Sequence, residues 1–379
     1  MLEKIHHKSA PKEIVNALVT LYHQGKFDDV LSRSSQLIKE YPHTFVLHNI
    51  IGAISFEKGH KEAAIEHFRK VIELRPHHPH AYNNLGAALI DIGEYQEAKS
   101  NLEKAIEIQP DYAEAYNNLG NVYKEMKDYT QAISVYEKAI KLNPQYYEAY
   151  NNLGVALGKN EQYEEAEKVL KNVIKLQPAF VEPLNSLGSI LTCMEKYEEA
   201  KTILNRSIEI NSNNAEAFYN LGNIYKKLNV YEQAIDQYKH AIKIQPNYYE
   251  ALNSLGLTLT EIENYSEATN IFKKAIKVKL ENVEACNNLG NIYKKTNHFH
   301  KAIKYYKKAL KIDNKIAGIH NNLGYSLCLI GDNTNSIHHQ KLAVALEPNS
   351  IIFLESLLFY INYSPDMSAE EIFEYYKQY

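Results

Sequence analysis

Apolar residues along most of this chain fall in two short stripes per 34 residues, each at helical spacing, with a turn between them. In the unit that begins at Ala113, Tyr116, Leu119, Gly120 and Tyr123 take positions 4, 7, 8 and 11. At roughly 100° per residue these positions share one face of a helix. A second helix is predicted after the turn. Its position 17 is aromatic in most units (Phe27, Tyr95, Tyr129, Tyr163, Tyr197, Tyr231, Tyr265, Phe299). Position 20 is usually alanine (Ala64, Ala98, Ala132, Ala166, Ala200, Ala234, Ala268, Ala302), small enough to let the second helix lie against the first. Proline at position 32 ends the unit at Pro42, Pro76, Pro110, Pro144, Pro178, Pro246 and Pro348, because the ring removes a donor and clashes with the preceding turn.

The glycine of position 8 returns every 34 residues, from Gly52 to Gly324. A fixed period of this length predicts an all-α solenoid. Glycine costs about 1 kcal/mol inside a helix, so its recurrence predicts a close approach of two helices. A leucine at Gly120 should overpack that contact by roughly 1–3 kcal/mol. The organisation expected is a lead-in over 1–10, a degenerate repeat over 11–44 with Leu18 in the glycine place, and nine repeats over 45–350. Residues 351–379 would form a capping helix and the start of a linker helix, the latter opened by the capping box Ser368-Ala-Glu-Glu371.

Composition changes this picture little. A net charge of −4 gives no general pull towards nucleic acid or membrane. Cys193, Cys286 and Cys328 are odd in number and far apart, which suggests reduced thiols and a cytoplasmic setting. No 18-residue apolar run exists to span a bilayer. No phosphate-binding glycine loop, His-Glu-x-x-His, Cys-x-x-Cys or Gly-x-Ser-x-Gly is present. Catalytic, metal and cofactor residues are therefore expected to be none. His77, His78 and His80 read as an exposed turn between repeats, not as a metal cage.

The polar signal is a row of asparagines. Position 6 carries Asn16, Asn84, Asn118, Asn152, Asn220, Asn288 and Asn322, and position 9 adds Asn121, Asn223 and Asn291. A carboxamide can both donate to and accept from a peptide unit without reading its side chain. Helices packed about 8–10 Å apart would offer one such group to roughly every third residue of an extended peptide rising about 3.3 Å per residue. The competing reading is that these asparagines bond the next repeat, which is the expectation for position 5 (Asn83, Asn117, Asn151, Asn185, Asn253, Asn287, Asn321). Position 2 gives a second row: Glu114, Glu148, Glu182, Glu216, Glu250 and Glu284. It reads either as first-turn carboxylates that suit the helix dipole or as an acidic rail for basic or hydroxyl-rich peptides. Twelve lysines between Lys273 and Lys315 face only Glu281, Glu284 and Asp313. A solvated outer face is expected there, with an anionic partner as the alternative.

Glycine, aromatic, alanine and proline recurring in one register are the tetratricopeptide (TPR) signature, and the resemblance covers about nine tenths of the chain. It implies a right-handed superhelical solenoid of about ten helix-turn-helix repeats with a C-terminal helical cap, first helices lining the concave side. Tyr82, Tyr116, Tyr150 or Phe218 stands where the family usually has tryptophan. The asparagine row is also similar to the N-terminal half of O-linked N-acetylglucosamine transferases and SPINDLY-type glycosyltransferases. The segment Leu357–Phe373 resembles the junction into the catalytic half of bacterial members. That resemblance implies a non-catalytic region that presents protein substrate to a domain using a UDP-sugar or GDP-fucose, a domain these 379 residues do not contain. A free-standing adaptor for protein complexes is the other reading. Either way the partner expected is an extended polypeptide in the groove, with no nucleic acid and no membrane, and with self-association left open.

Overall fold

The computed structural model describes residues 9–362 and 368–377. The first eight residues of the lead-in and residues 363–367 of the junction segment lie outside them. Among the described residues there are twenty-two α-helices and no strand. Consecutive helices pack as antiparallel hairpins of the TPR type. The chain divides into two units, Met1–Lys196 and Tyr197–Tyr379.

In the first unit the first helices are α1 (Lys12–His23), α3 (Phe45–Glu57), α5 (Pro79–Asp91), α7 (Ala113–Glu125), α9 (Tyr147–Lys159) and α11 (Val181–Cys193). The second helices are α2 (Phe27–Glu40), α4 (Lys61–Leu74), α6 (Tyr95–Ile108), α8 (Tyr129–Leu142) and α10 (Tyr163–Leu176). In the second unit the first helices are α13 (Ala215–Lys227), α15 (Tyr249–Glu261), α17 (Val283–Lys295) and α19 (Ala317–Cys328). Its second helices are α12 (Tyr197–Ile210), α14 (Tyr231–Ile244), α16 (Tyr265–Val278), α18 (Phe299–Ile312) and α20 (Asn333–Leu346).

Each hairpin is built the same way. The first helix ends in a Schellman motif: the N–H of position 16 donates back to the carbonyl of position 11, as in Asp128 to Tyr123 at 2.9 Å and Asn264 to Leu259 at 2.8 Å. Position 15 is left-handed in every repeat that has one described. Glycine fills it at Gly25, Gly59, Gly93 and Gly331, while Lys127, Glu161, Glu195, Asn229, Glu263 and Asn297 adopt it at φ of 59–62°. Position 16 then caps the second helix where it is Asp or Asn: Asp128, Asn264 and Asp332 each accept from the backbone N–H three residues on.

The glycine of position 8 meets position 24. A Cβ at Gly120 would lie 2.4 Å from Tyr136 Cε1, one at Gly86 2.6 Å from Leu102 Cγ, and one at Gly256 2.6 Å from Phe272 Cζ. Tyr136, Tyr238, Tyr306, Phe272 and Leu102 are fully buried there, beside the alanines of position 20. Fully burying a large apolar side chain stabilises by about 1.5–3 kcal/mol, so the space left by glycine is well used.

Two further helices follow the last repeat, α21 (Ile351–Ile361) and α22 (Ala369–Lys377). Leu357, Leu358 and Ile361 of α21 cover Ile337 of α20, with Ile372 and Tyr375 of α22 packed against them. The capping box is formed: Ser368 N–H donates to Glu371 Oε2 at 2.8 Å, and Glu371 N–H to Ser368 Oγ at 3.2 Å. The three cysteines lie on the first helices α11, α17 and α19 and are free thiols.

Candidate functional site

The first helices bring the two asparagine rows together. In the first unit, position 5 is a buried hub. Asn83, fully buried, donates through Nδ2 to Glu114 Oε1 at 3.2 Å and accepts at Oδ1 from Asn118 Nδ2 at 2.9 Å. Asn152 Nδ2 donates to Asn117 Oδ1 at 3.0 Å, and Ser186 Oγ to Asn151 Oδ1 at 2.9 Å. Thus position 6 of one repeat bonds position 5 of the repeat before it. Both rows belong to a ladder that fixes neighbouring repeats, the role expected for position 5 and the competing reading for position 6. Asn118 and Asn152 remain half-buried, and each spends one amide donor on the rung. Asn84 is half-buried and makes no hydrogen bond to a described residue.

The second unit differs. Asn253 Nδ2 donates to Glu284 Oε2 at 3.3 Å, but the buried Oδ1 atoms of Asn253, Asn287 and Asn321 have no hydrogen-bond partner. Asn288 is half-buried and makes no hydrogen bond, and Asn220 is buried. Asn322 is drawn away from the ladder: its Oδ1 accepts from Lys294 Nζ at 2.6 Å, and its Nδ2 donates to Asn291 Oδ1 at 3.3 Å. Burial lowers the pKa of Lys294, and the charge of Lys295 adds to that.

Position 9 has an internal partner in each of its three cases. The phenols of Tyr136, Tyr238 and Tyr306 donate to Asn121, Asn223 and Asn291 at 2.7, 2.8 and 2.8 Å. Burial raises all three phenols well above the ordinary tyrosine range, so each stays a neutral donor that needs an acceptor. The signal was in the sequence. Asparagine occurs at position 9 in the repeats with tyrosine at position 24, whereas Ala87, Val155, Ser189 and Leu257 accompany Leu102, Leu170, Leu204 and Phe272.

The glutamates of position 2 are all exposed, at Glu114, Glu148, Glu182, Glu216, Glu250 and Glu284. Glu148, Glu182 and Glu250 make neither an ion pair nor a hydrogen bond among the described residues. Beside them stand tyrosines that the sequence reading passed over. Burial, then the neighbouring position-2 carboxylates, raises the phenols of Tyr112, Tyr146 and Tyr248. Tyr112 lies 2.7 Å from His80 Nδ1. Elsewhere the same position 34 is Asn214 or Asn282, whose side chains cap the next helix at Ala217 and Ala285. Among the described residues no group of three metal-ligating side chains exists, and no helix is long and apolar enough to cross a membrane.

Two-helix repeats in one register, with glycine meeting position 24 and amides along the first helices, define a tetratricopeptide-repeat protein. More particularly, the chain belongs to the family of the cilia and flagella-associated protein 70 C-terminal domain, whose model matches residues 36–244, more than half of its length. Models described as tetratricopeptide repeat match residues 250–281 and 283–315. Among solved structures, the chain is 30% identical to YrrB, "a TPR protein with an unusual peptide-binding site", covering 98% of that chain and 50% of this one with a TM-score of 0.38. It is 27% identical to MamA, over 95% of that chain and 43% of this one, TM-score 0.39. PilF of Pseudomonas aeruginosa is 17% identical over 95% of its chain and 55% of this one, TM-score 0.49. No curated protein matches the chain. The resemblance to glycosyltransferases gains no support from these matches.

Proposed function

We propose that the chain is a non-catalytic scaffold whose first helices hold an extended polypeptide through the amides of position 6 and the carboxylates of position 2. The observation that carries this reading is the pair Asn84 and Asn288. Each is half-buried on a first helix with a side-chain amide that makes no hydrogen bond among the described residues, and an amide held at a surface without a partner is ready to pair with a peptide unit. Glu148, Glu182 and Glu250 add negative charge on other first helices, α9, α11 and α15, which favours basic segments.

The test uses a peptide selected from a random library on the wild-type chain. Asn84→Ala with Asn288→Ala should weaken its binding about tenfold, the loss of roughly 1.4 kcal/mol, with an unchanged melting temperature. Asn118→Ala with Asn152→Ala should lower the melting temperature as well, because those residues also bond neighbouring repeats. Unaltered affinity in the first pair would remove the asparagine row from the site.

The link to protein O-glycosylation rests on the asparagine row and the segment Leu357–Phe373. A reading frame that continues past Tyr379 into a sugar-nucleotide-binding domain would support it. A stop codon at that point would favour the free-standing adaptor.

A further inference from the structure

The second helices of the second unit carry a charge that the fold leaves without counter-charge, although Lys301 of α18 lies over the Tyr293 ring at 5.5 Å. Between Lys273 and Lys315 there are twelve lysines and three acids, a net +9 in a chain whose total is −4. On α18, Lys301, Lys304, Lys307, Lys308 and Lys311 are all exposed. Among the described residues, no lysine of this stretch forms an ion pair. The first unit treats its cations differently. Arg69 meets Glu97 at 2.8 Å, Lys70 meets Glu73 at 2.8 Å, and Lys171 and Lys196 share Glu167 at 2.5 and 2.7 Å. Like charges three or four residues apart on a helix repel, so Lys304 with Lys308, and Lys307 with Lys311, weaken α18 instead of supporting it. Lys273 on α16 lies close enough to α18 for its charge to act on Tyr305.

Lys301, Lys304, Lys308 and Lys311 follow one another at steps of three, four and three. They form a straight stripe about 15 Å long, at roughly 1.5 Å of rise per residue. We infer that this stripe on α18, with Lys273 and Lys277 beside it, is a docking surface for an acidic helix of a partner protein. A helix bearing carboxylates at the same three- and four-residue steps would match it charge for charge. Nucleic acid is disfavoured by the residues present. The stretch contains no arginine, the fork that best fits phosphate. Neither tyrosine of α18 offers a face for base stacking, since Tyr305 stacks on Tyr293 at 5.6 Å and Tyr306 is buried. A lipid surface is disfavoured because α18 exposes no large apolar side chain to anchor in it.

The probe is a 21-residue helical peptide with glutamate at three- and four-residue steps, followed by fluorescence anisotropy at 50 mM and 300 mM salt. A permuted peptide of equal charge, a 20-base-pair DNA duplex and phosphatidylserine vesicles are run alongside. Wild-type chain should bind the patterned peptide at least fivefold more tightly than the permuted one, and more weakly at high salt. The variant K304Q/K308Q/K311Q should lose binding at least tenfold while its melting temperature stays level or rises, as repulsion is relieved. Asn84→Ala with Asn288→Ala should leave this binding intact, which separates it from the groove. Tighter binding to the duplex or to vesicles, equal binding of the permuted peptide, full binding by the lysine variant, or a fall in its melting temperature would each overturn the inference.

Discussion

The tightest single-residue constraints lie at positions 8 and 15. Gly120 cannot take a Cβ without moving Tyr136, a ring packed on all sides. Gly120→Leu is therefore expected to destabilise by about 2–3 kcal/mol, read as a lowered urea midpoint. Position 15 offers the opposite opportunity. Glu161 sits at φ 61° with a side chain that dislikes the left-handed region. Glu161→Gly should raise stability by about 1 kcal/mol in the same measurement. The sequence displayed the first constraint, because glycine recurs there without exception across nine repeats. It hid the second, since lysine, glutamate and asparagine at position 15 look like ordinary surface choices. Only the backbone angle reveals that they do a glycine's work.

At the scale of the hairpin, two repeats are closed by paired imidazoles. His67 Nδ1 and His48 Nδ1 are 3.0 Å apart, and His48 Nε2 faces the carbonyl of Pro42. His320 and His339 repeat the arrangement at 2.9 Å, with His320 facing the carbonyl of Asn314. A carbonyl only accepts, so His48 and His320 carry their proton on Nε2 and accept at Nδ1 from the partner ring. The partner ring donates from Nδ1, and its protonation must work against the burial of that ring. Burial lowers the pKa of both His48 and His67. Burial, then His320 and His338, takes His339 down to about 4. The unfolded chain, with histidines near 6.5, binds more protons than the fold does below that pH. The stabilisation is complete above about pH 6.5 and disappears as pH falls towards 4. Discounted for solvent exposure, the loss should be on the order of 1–2 kcal/mol. Urea midpoints at pH 7.5 and 4.5 check this, and His67→Gln with His339→Gln should flatten the difference. Neither pair was legible in advance, because positions 4 and 23 are read as a helix face and its neighbour without any hint that two rings meet.

For the whole molecule, the period made the architecture readable and the site only half so. The helices of most repeats could be placed from glycine, alanine and proline, since each marks a contact or a stop that the repeat imposes. The asparagines were harder. Amphipathic reasoning tells which way a side chain points but not which neighbour arrives there first, so Asn118 and Asn152 were read as groove residues and are also rungs between repeats. The lysine-rich stretch is the converse: visible as a bias in composition, and informative only once its lysines are found without an ion pair among the described residues. Removing α21 and α22 should bare Ile337 and neighbouring apolar surface, expected as stronger binding of a hydrophobic dye and lower solubility.

The tyrosine–asparagine bond between positions 24 and 9 makes some modules of this array mutually exchangeable and others not. A segment grafted from a leucine-type repeat into a tyrosine-type one would import half a couple and strand a hydroxyl in the interior. Asn121→Ala should accordingly be costly, about 1–3 kcal/mol, while Asn121→Ala joined to Tyr136→Phe should recover most of that loss in equilibrium unfolding. Duplication of whole 34-residue blocks keeps both halves together, so the array can lengthen by copying without ever breaking a pair.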